Sequence, residues 1–235
     1  MLRAYPVPGK AKSKMLCDAF IAGAPSSAKG AVFYGVKAGN AEAWRGVKRS
    51  GEDFYFIDNS YFDQTRGVMF RVTKNALQCT SIVDGDAVTD CLRLPDIQIE
   101  PWREFDAPGY TLIVEQSQDH MDYVIDNASE FYTLSKFYQA KYRTKVRRWC
   151  ADKPKLMTTL ADDLAGAAQL VTHTSAAAVM AILAGVPVVC NEHCVAFGMN
   201  YAHDSDRLRW AGVLADNQFS IDELMNGTAW QAVNR

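Results

Sequence analysis

The sequence predicts an α/β protein with Rossmann-like parallel sheets flanked by helices, in a compact two-lobed architecture. Two observations carry that prediction. Short apolar runs bounded by turn residues recur along the chain, at 31–36, 53–58 and 110–115. The second half then alternates strand 110–115, helix, strand 144–149, helix 160–168, strand 169–173, helix 175–184 and strand 186–190, which is the grammar of a parallel sheet with helices on its faces. A length of 235 residues holds one large domain or two small ones. The division read here is an N-terminal lobe at 1–108 and a C-terminal lobe at 109–235. One lobe with an N-terminal elaboration is the alternative.

The elements follow in order. Lys14 to Ala22 reads as a short helix, and Gly23 to Gly30 as a loop rich in breakers. Ala31–Val36 is a buried strand. Asn40 is placed to cap a helix from Ala41 to Arg49, whose Ala43, Trp44 and Val47 share a face and which Gly51 ends. Asp53–Asp58 is the next strand, so 31–58 forms a strand–helix–strand unit. Gly67–Thr73 follows as a strand after a hairpin-like excursion, and 75–108 mixes loops with short strands. After strand 110–115 come helices near 119–126 and 128–141. Thr159 caps the helix at 160–168, with Asp162 and Asp163 in its first turn, where the helix dipole favours acids. Residues 201–235 read as a polar segment and a helix capped by Ser220.

Composition excludes several classes. Hydrophobic residues make up 49% and charged residues 22%, ordinary values for a globular protein. No apolar run approaches the roughly 20 residues of a membrane span. The N-terminus has no apolar signal-peptide region, so a cytoplasmic protein is expected, in the host cytoplasm if the gene is carried by a phage. The six cysteines form no CxxC pair, which fits free thiols; Cys190, His193 and Cys194 lack a second ligand pair, and no metal site is expected. The net charge of −2 excludes a generally cationic nucleic-acid binder. Cations nonetheless cluster between Lys136 and Lys155, at Lys136, Lys141, Arg143, Lys145, Arg147, Arg148, Lys153 and Lys155, against the single acid Asp152. Such a block suits a polyanion or a phosphate, or is simply a solvated face.

Candidate chemistry lies at the strand ends, where α/β proteins place their sites. His173, Thr174 and Ser175 stand between an apolar strand and the small-residue run Ala176–Gly185. Free N–H groups of a first helical turn hold phosphates, and His173 can bond a phosphate oxygen or a sugar hydroxyl. An ordinary capped core helix is the alternative. Asp58, Asn59 and Tyr61 end the strand at 53–58. A carboxylate there is a candidate base for deprotonating an acceptor hydroxyl, or closes a turn through neighbouring amides. Glu115 and His120 are weaker candidates for the same role.

Ser175, Ala181, Gly185 and Pro187 are similar in spacing to the donor-site motif S-x-x-x-x-E-A-x-x-x-G-x-P of GT-B glycosyltransferases. The resemblance takes in the preceding helix, Leu160–Ala167. It implies a GT-B-like architecture, with an acceptor-side lobe at 1–108 and a donor lobe at 109–235. It implies a nucleotide-sugar co-substrate, expected to be a UDP-sugar, bound by Arg147, Arg148, Lys153, His173, Thr174, Ser175 and Gly185, with no other cofactor. Met180 replaces the acid that grips the donor ribose in that family, so another group holds the ribose, the site is altered, or activity is lost. Tyr34-Gly35-Val36, Gly39-Asn40, Asp58–Phe62 and Phe70–Asn75 together resemble phage-encoded proteins that attach sugars to DNA bases. That resemblance implies a 5-hydroxymethylpyrimidine acceptor reached by base flipping. DNA contacts are then expected at Lys136, Lys141, Arg143 and Lys145, with stacking on Phe137, Tyr138, Tyr142 and Trp149. Glycosyl transfer to a polysaccharide, lipid or small molecule is a second reading, and a nucleotide- or nucleic-acid-binding protein without turnover is a third.

Overall fold

The computed structural model describes residues 1–62, 68–78, 97–104, 107–148 and 158–235. It is an α/β protein with parallel sheets flanked by helices. The chain divides into two compact units, Met1–Pro95 with Trp210–Arg235, and Asp96–Arg209. Among the described residues no helix is long and apolar enough to cross a membrane.

The first unit holds β1 (Leu2–Ala4), α1 (Ala11–Gly23), β2 (Gly30–Tyr34), α2 (Ala41–Ser50), β3 (Phe54–Asn59) and β4 (Met69–Lys74). Its sheet runs in the order β1-β2-β3-β4-β9, where β9 is Gln218–Ser220. The first three strands are parallel, and β4 is antiparallel to both β3 and β9. Both faces of β3 are buried, which is why it reads as unbroken apolar sequence. Phe54 and Phe56 meet Trp44 of α2 edge-on. Tyr55 and Ile57 face the opposite core, with Phe20 of α1 and Phe219 of β9. Two later helices, α8 (Ile221–Met225) and α9 (Thr228–Val233), complete that core through Leu224 and Ala229.

The second unit holds β5 (Tyr110–Glu115), α3 (Gln118–Tyr123), α4 (Ala128–Lys141), β6 (Thr144–Arg148), α5 (Leu160–Ala165), β7 (Ala167–Thr172), α6 (Ala177–Leu183) and β8 (Val188–Val189). The sheet order is β6-β5-β7-β8 and every neighbouring pair is parallel, as the alternation predicts. One face packs Ile113 and Val171 against Met121 of α3 and Phe131 of α4. The Thr159 cap is present as a full capping box with Asp162. Helix α7 (Asp204–Asp216) carries the chain from one unit to the other.

Several expectations are adjusted. The division at 108/109 placed 201–235 wholly in the second lobe, whereas β9 pairs with β4 and returns the chain's end to the first unit. Strands β1 and β9 do not appear in the sequence reading, because three residues carry too little pattern. Strand 186–190 contracts to Val188–Val189, and helix 175–184 to Ala177–Leu183. Gly67, most of 75–108, Trp149, Cys150 and Lys153 lie outside the described residues.

Candidate functional site

The second sheet has a topological switch point. From β5 the chain builds β6 on one side, then crosses to build β7 on the other. Loops leaving β5 and β7 therefore part in opposite directions, and the crevice beyond their carboxyl ends is where open parallel sheets take ligands. Glu115, Gln116 and Ser117 line it from β5, and Thr172 to Ser175 from β7.

These groups are ordered by short contacts. Gln116 Nε2 donates to Thr174 Oγ1 at 2.8 Å, tying the two strand ends together. Thr172 Oγ1 donates to the Val114 carbonyl at 2.9 Å. Ser117 caps α3 by accepting from the His120 amide. Ser175 Oγ accepts from the Ala177 amide at 3.2 Å, so it acts as a local turn closer before α6. The His173 carbonyl accepts from the Asn191 amide at 3.1 Å, which fixes the strand tip against the loop after β8. The imidazole of His173 is buried, with Phe131 edge-on at 6.3 Å between ring centroids. Burial, and then the proximity of His193, lower its pKa below the usual histidine value. His173 is thus a neutral donor or acceptor at physiological pH, with Nδ1 3.4 Å from Thr174 Oγ1.

The basic residues of the sequence reading separate into two groups. Arg147 Nη1 donates to Asp163 Oδ2 at 2.7 Å and to the Thr158 carbonyl at 3.0 Å. Lys145 Nζ lies 2.6 Å from Asp163 Oδ1, and Thr158 Oγ1 donates to the same oxygen. The Asp163 side chain is only 1% exposed. Its burial acts to raise the pKa, but hydrogen bonds from Lys145, Thr158 and Arg147 outweigh that, and the carboxyl is held below its ordinary value. Arg147, 17% exposed, and Lys145, 40% exposed, are therefore both paired with buried Asp163; the sequence reading assigned them to donor and DNA. Arg148 differs. Its side chain is 78% exposed and its Nε donates to Glu115 at 2.8 Å, at the carboxyl edge of the sheet. Lys136, Lys141 and Arg143 are exposed, as are Phe137 and Tyr142, and Lys141 lies 4.6 Å over the Phe137 ring.

Gly185 has a steric role. It adopts φ +66°, and a Cβ there would stand 2.0 Å from the Pro101 carbonyl oxygen. The segment at 100–103 clasps this turn, through Glu100 N to the Leu183 carbonyl and Arg103 N to the Gly185 carbonyl, both 2.8 Å. Buried Arg207 secures α6 further by donating to the Ile182 carbonyl at 2.9 Å, where the helix dipole favours a cation. Met180 of α6 is 41% exposed.

In the first unit, Asp58 and Arg71 are cross-strand partners and form an ion pair. Asp58 Oδ1 also accepts from the Asn59 amide at 2.8 Å. Arg71 is buried, and its guanidinium lies 4.7 Å over the Tyr61 ring. Tyr61 is 2% exposed, so its ring supports Arg71 rather than facing solvent. Asn59 is exposed and accepts from the Tyr34 hydroxyl at 3.1 Å. Burial, with the Asp58 charge, raises the Tyr34 phenol to about 12. Tyr34 and Arg71 did not figure as site residues in the sequence reading, although both lie in segments it singled out. Gln116 also went unassigned, although it follows an apolar strand directly. Among the described residues no group of three or more His, Cys, Asp or Glu is placed to hold a metal ion.

No protein-family model matches the sequence, and no curated protein matches it. Among solved structures, the chain is similar to Thermosulfurimonas dismutans KpsC, beta Kdo 2,7 transferase, at 12% identity and a TM-score of 0.44, covering 87% of this chain and 84% of that one. It is also similar to Thermosulfurimonas dismutans KpsC, beta Kdo 2,4 transferase, at 10% identity and a TM-score of 0.43, covering 91% and 89%.

Proposed function

We propose that the chain is a glycosyltransferase that binds a nucleotide-sugar at the switch point of the second unit and transfers the sugar to a hydroxyl acceptor, a 5-hydroxymethylpyrimidine in DNA. The observation that carries this reading is the convergence of Gln116, His173 and Thr174 on one switch-point crevice, in the segment whose Ser175, Gly185 and Pro187 resemble a donor-site motif. The geometry supports particular roles. Neutral His173 bonds a phosphate oxygen or a sugar hydroxyl without adding charge. Arg148 is an exposed cation at the sheet's carboxyl edge and supplies charge to a departing diphosphate. Lys153 belongs to the same proposal but lies outside the described residues. Lys136, Lys141 and Arg143, beside exposed Phe137 and Tyr142, offer phosphate contacts and stacking to a DNA strand. Asp58 is the proposed base, and it acts from within its ion pair with Arg71.

Thermal unfolding with UDP-, GDP-, CDP- and ADP-glucose tests the donor site. A ligand at 100 times its Kd adds about 2.7 kcal/mol of stability. A clear rise in Tm with one nucleotide is the expected result, and no shift with any at saturation overturns the donor site. Hydroxymethylated DNA incubated with the stabilising donor, read by nucleoside mass spectrometry, tests the acceptor; Asp58→Asn should lose at least 100-fold in rate. Unchanged transfer by that variant removes Asp58 as base. Binding without turnover is the second reading, favoured by Met180 at the position where the resembled motif carries an acid. Nucleotide stabilisation with no product from any hydroxyl acceptor would establish it.

A further inference from the structure

We infer that Gln116 sets ligand specificity at the switch-point crevice, its amide oxygen accepting a hydrogen bond from a sugar hydroxyl; the inference rests on the donor-site reading above. The amide is held at one end only. Nε2 donates to Thr174 Oγ1 at 2.8 Å, across the gap between the β5 and β7 ends. Oε1, at the other end, is buried and has no donor among the described residues. An amide oxygen offers two lone pairs, and buried acceptors are rarely left empty.

The neighbourhood argues against an incidental gap. Two residues along β7, Thr172 has its hydroxyl satisfied by the Val114 carbonyl. Glu115, beside Gln116, accepts only and is occupied by Arg148. The buried nitrogens without a partner at Arg71 and Arg207 belong to guanidinium groups whose other nitrogens are bonded. Gln116 therefore holds a buried, unfilled acceptor just past the end of β5, beside the point where the sheet order reverses. Its terminal torsion is broad, so the planar amide can rotate as a unit to bring Oε1 toward an incoming group, lengthening the Nε2 bond to Thr174 as it does so. The matching group is a neutral donor. A phosphate oxygen has no proton to give at neutral pH, whereas every pentose and hexose hydroxyl does. A site that hydrogen-bonds a hydroxyl rejects the analogue lacking it, because its own polar group is then left unpaired.

The test compares affinities as ratios, in which phosphate contacts cancel. Calorimetric titration of the full chain uses the best stabilising member of the UDP-, GDP-, CDP- and ADP-glucose panel, its sugar-free diphosphate, and the 2′-deoxy diphosphate. In the wild-type protein either loss of the hexose or loss of the 2′-hydroxyl should weaken binding by about tenfold, and which one does so identifies the source of the hydroxyl. Gln116→Leu should bring that ratio to one while the poorer ligand binds as before. Gln116→Glu, which keeps an acceptor and loses the amide donor to Thr174, should retain the ratio. A purely structural Gln116, filled by an internal water, would weaken every ligand alike and leave the ratio at its wild-type value in Gln116→Leu; that result overturns the inference and leaves the donor site standing. If no nucleotide binds the wild-type protein, the donor site itself fails and the inference with it.

Discussion

The two units use one local grammar and reach different ends. In each, an apolar strand stops at polar residues and a helix follows. In the first unit the parallel strands β1, β2 and β3 are added in one direction, and the sheet closes with antiparallel β4 and β9. Its strand-end acid, Asp58, is drawn into an ion pair with the next strand. In the second unit the order reverses at β5, and the strand tips hold an unfilled acceptor and a neutral histidine. A polar strand end is thus not a site by itself. Glu115, at the end of β5, is likewise paired with the neighbouring strand through Arg148; what sets the second unit apart is the unfilled Gln116 oxygen just beyond it, at the reversal of the strand order.

The deepest contrast between the units is the fate of their acids. Asp163→Ala strands Lys145 and Arg147 against a buried void and should cost about 3–5 kcal/mol, read by chemical denaturation. The folded pKa of Asp163 is depressed, so its contribution is complete above the unfolded value of about 3.9 and is lost as pH falls through the folded value. Wild-type stability should therefore fall more steeply than that of Asp163→Asn below about pH 4. A flat difference across that range would remove the ion-pair account. Glycines give a second contrast. Gly185→Ala meets the Pro101 backbone and should cost about 3 kcal/mol or more. Gly35→Ala, at a similar φ of +69° but with nothing within 4 Å of the new Cβ, should cost only about 1 kcal/mol. Equal Tm losses would show that conformation, not the clasp, holds the turn after α6. The smallest effect belongs to Asp58→Asn, whose side chain is 31% exposed; a stability change within about 1 kcal/mol is expected. A larger loss would place that ion pair among the structural ones, alongside Asp163.

Much of this fold was legible from local pattern. The parallel second sheet followed from its alternation, and the Thr159 and Ser220 caps from the residues at helix starts. Strand tips were found because apolar runs end abruptly at Asp58, Glu115 and His173. What stayed hidden depends on partners distant in sequence. Arg147 looks like a phosphate ligand until Asp163, 16 residues away, is seen to be buried beneath it. Tyr61 looks like an active-site phenol until Arg71 covers its ring. Gly185 belongs to a motif by spacing, yet its need for glycine comes from Pro101. Gln116 shares the strand-end signal of Glu115, but that its acceptor is unfilled is defined by what surrounds it.

The return of β9, α8 and α9 to the first unit also governs the order in which the chain can fold during synthesis. The second unit is continuous in sequence, so all of it has left the ribosome while the first unit still lacks β9, α8 and α9. Until residues 218–229 emerge, β4 has an open edge and the core around Phe20, Tyr55 and Phe70 lacks Phe219 and Leu224. The later-numbered unit can therefore be native first, and the earlier-numbered one must wait, with its apolar strands uncovered until β9, α8 and α9 emerge.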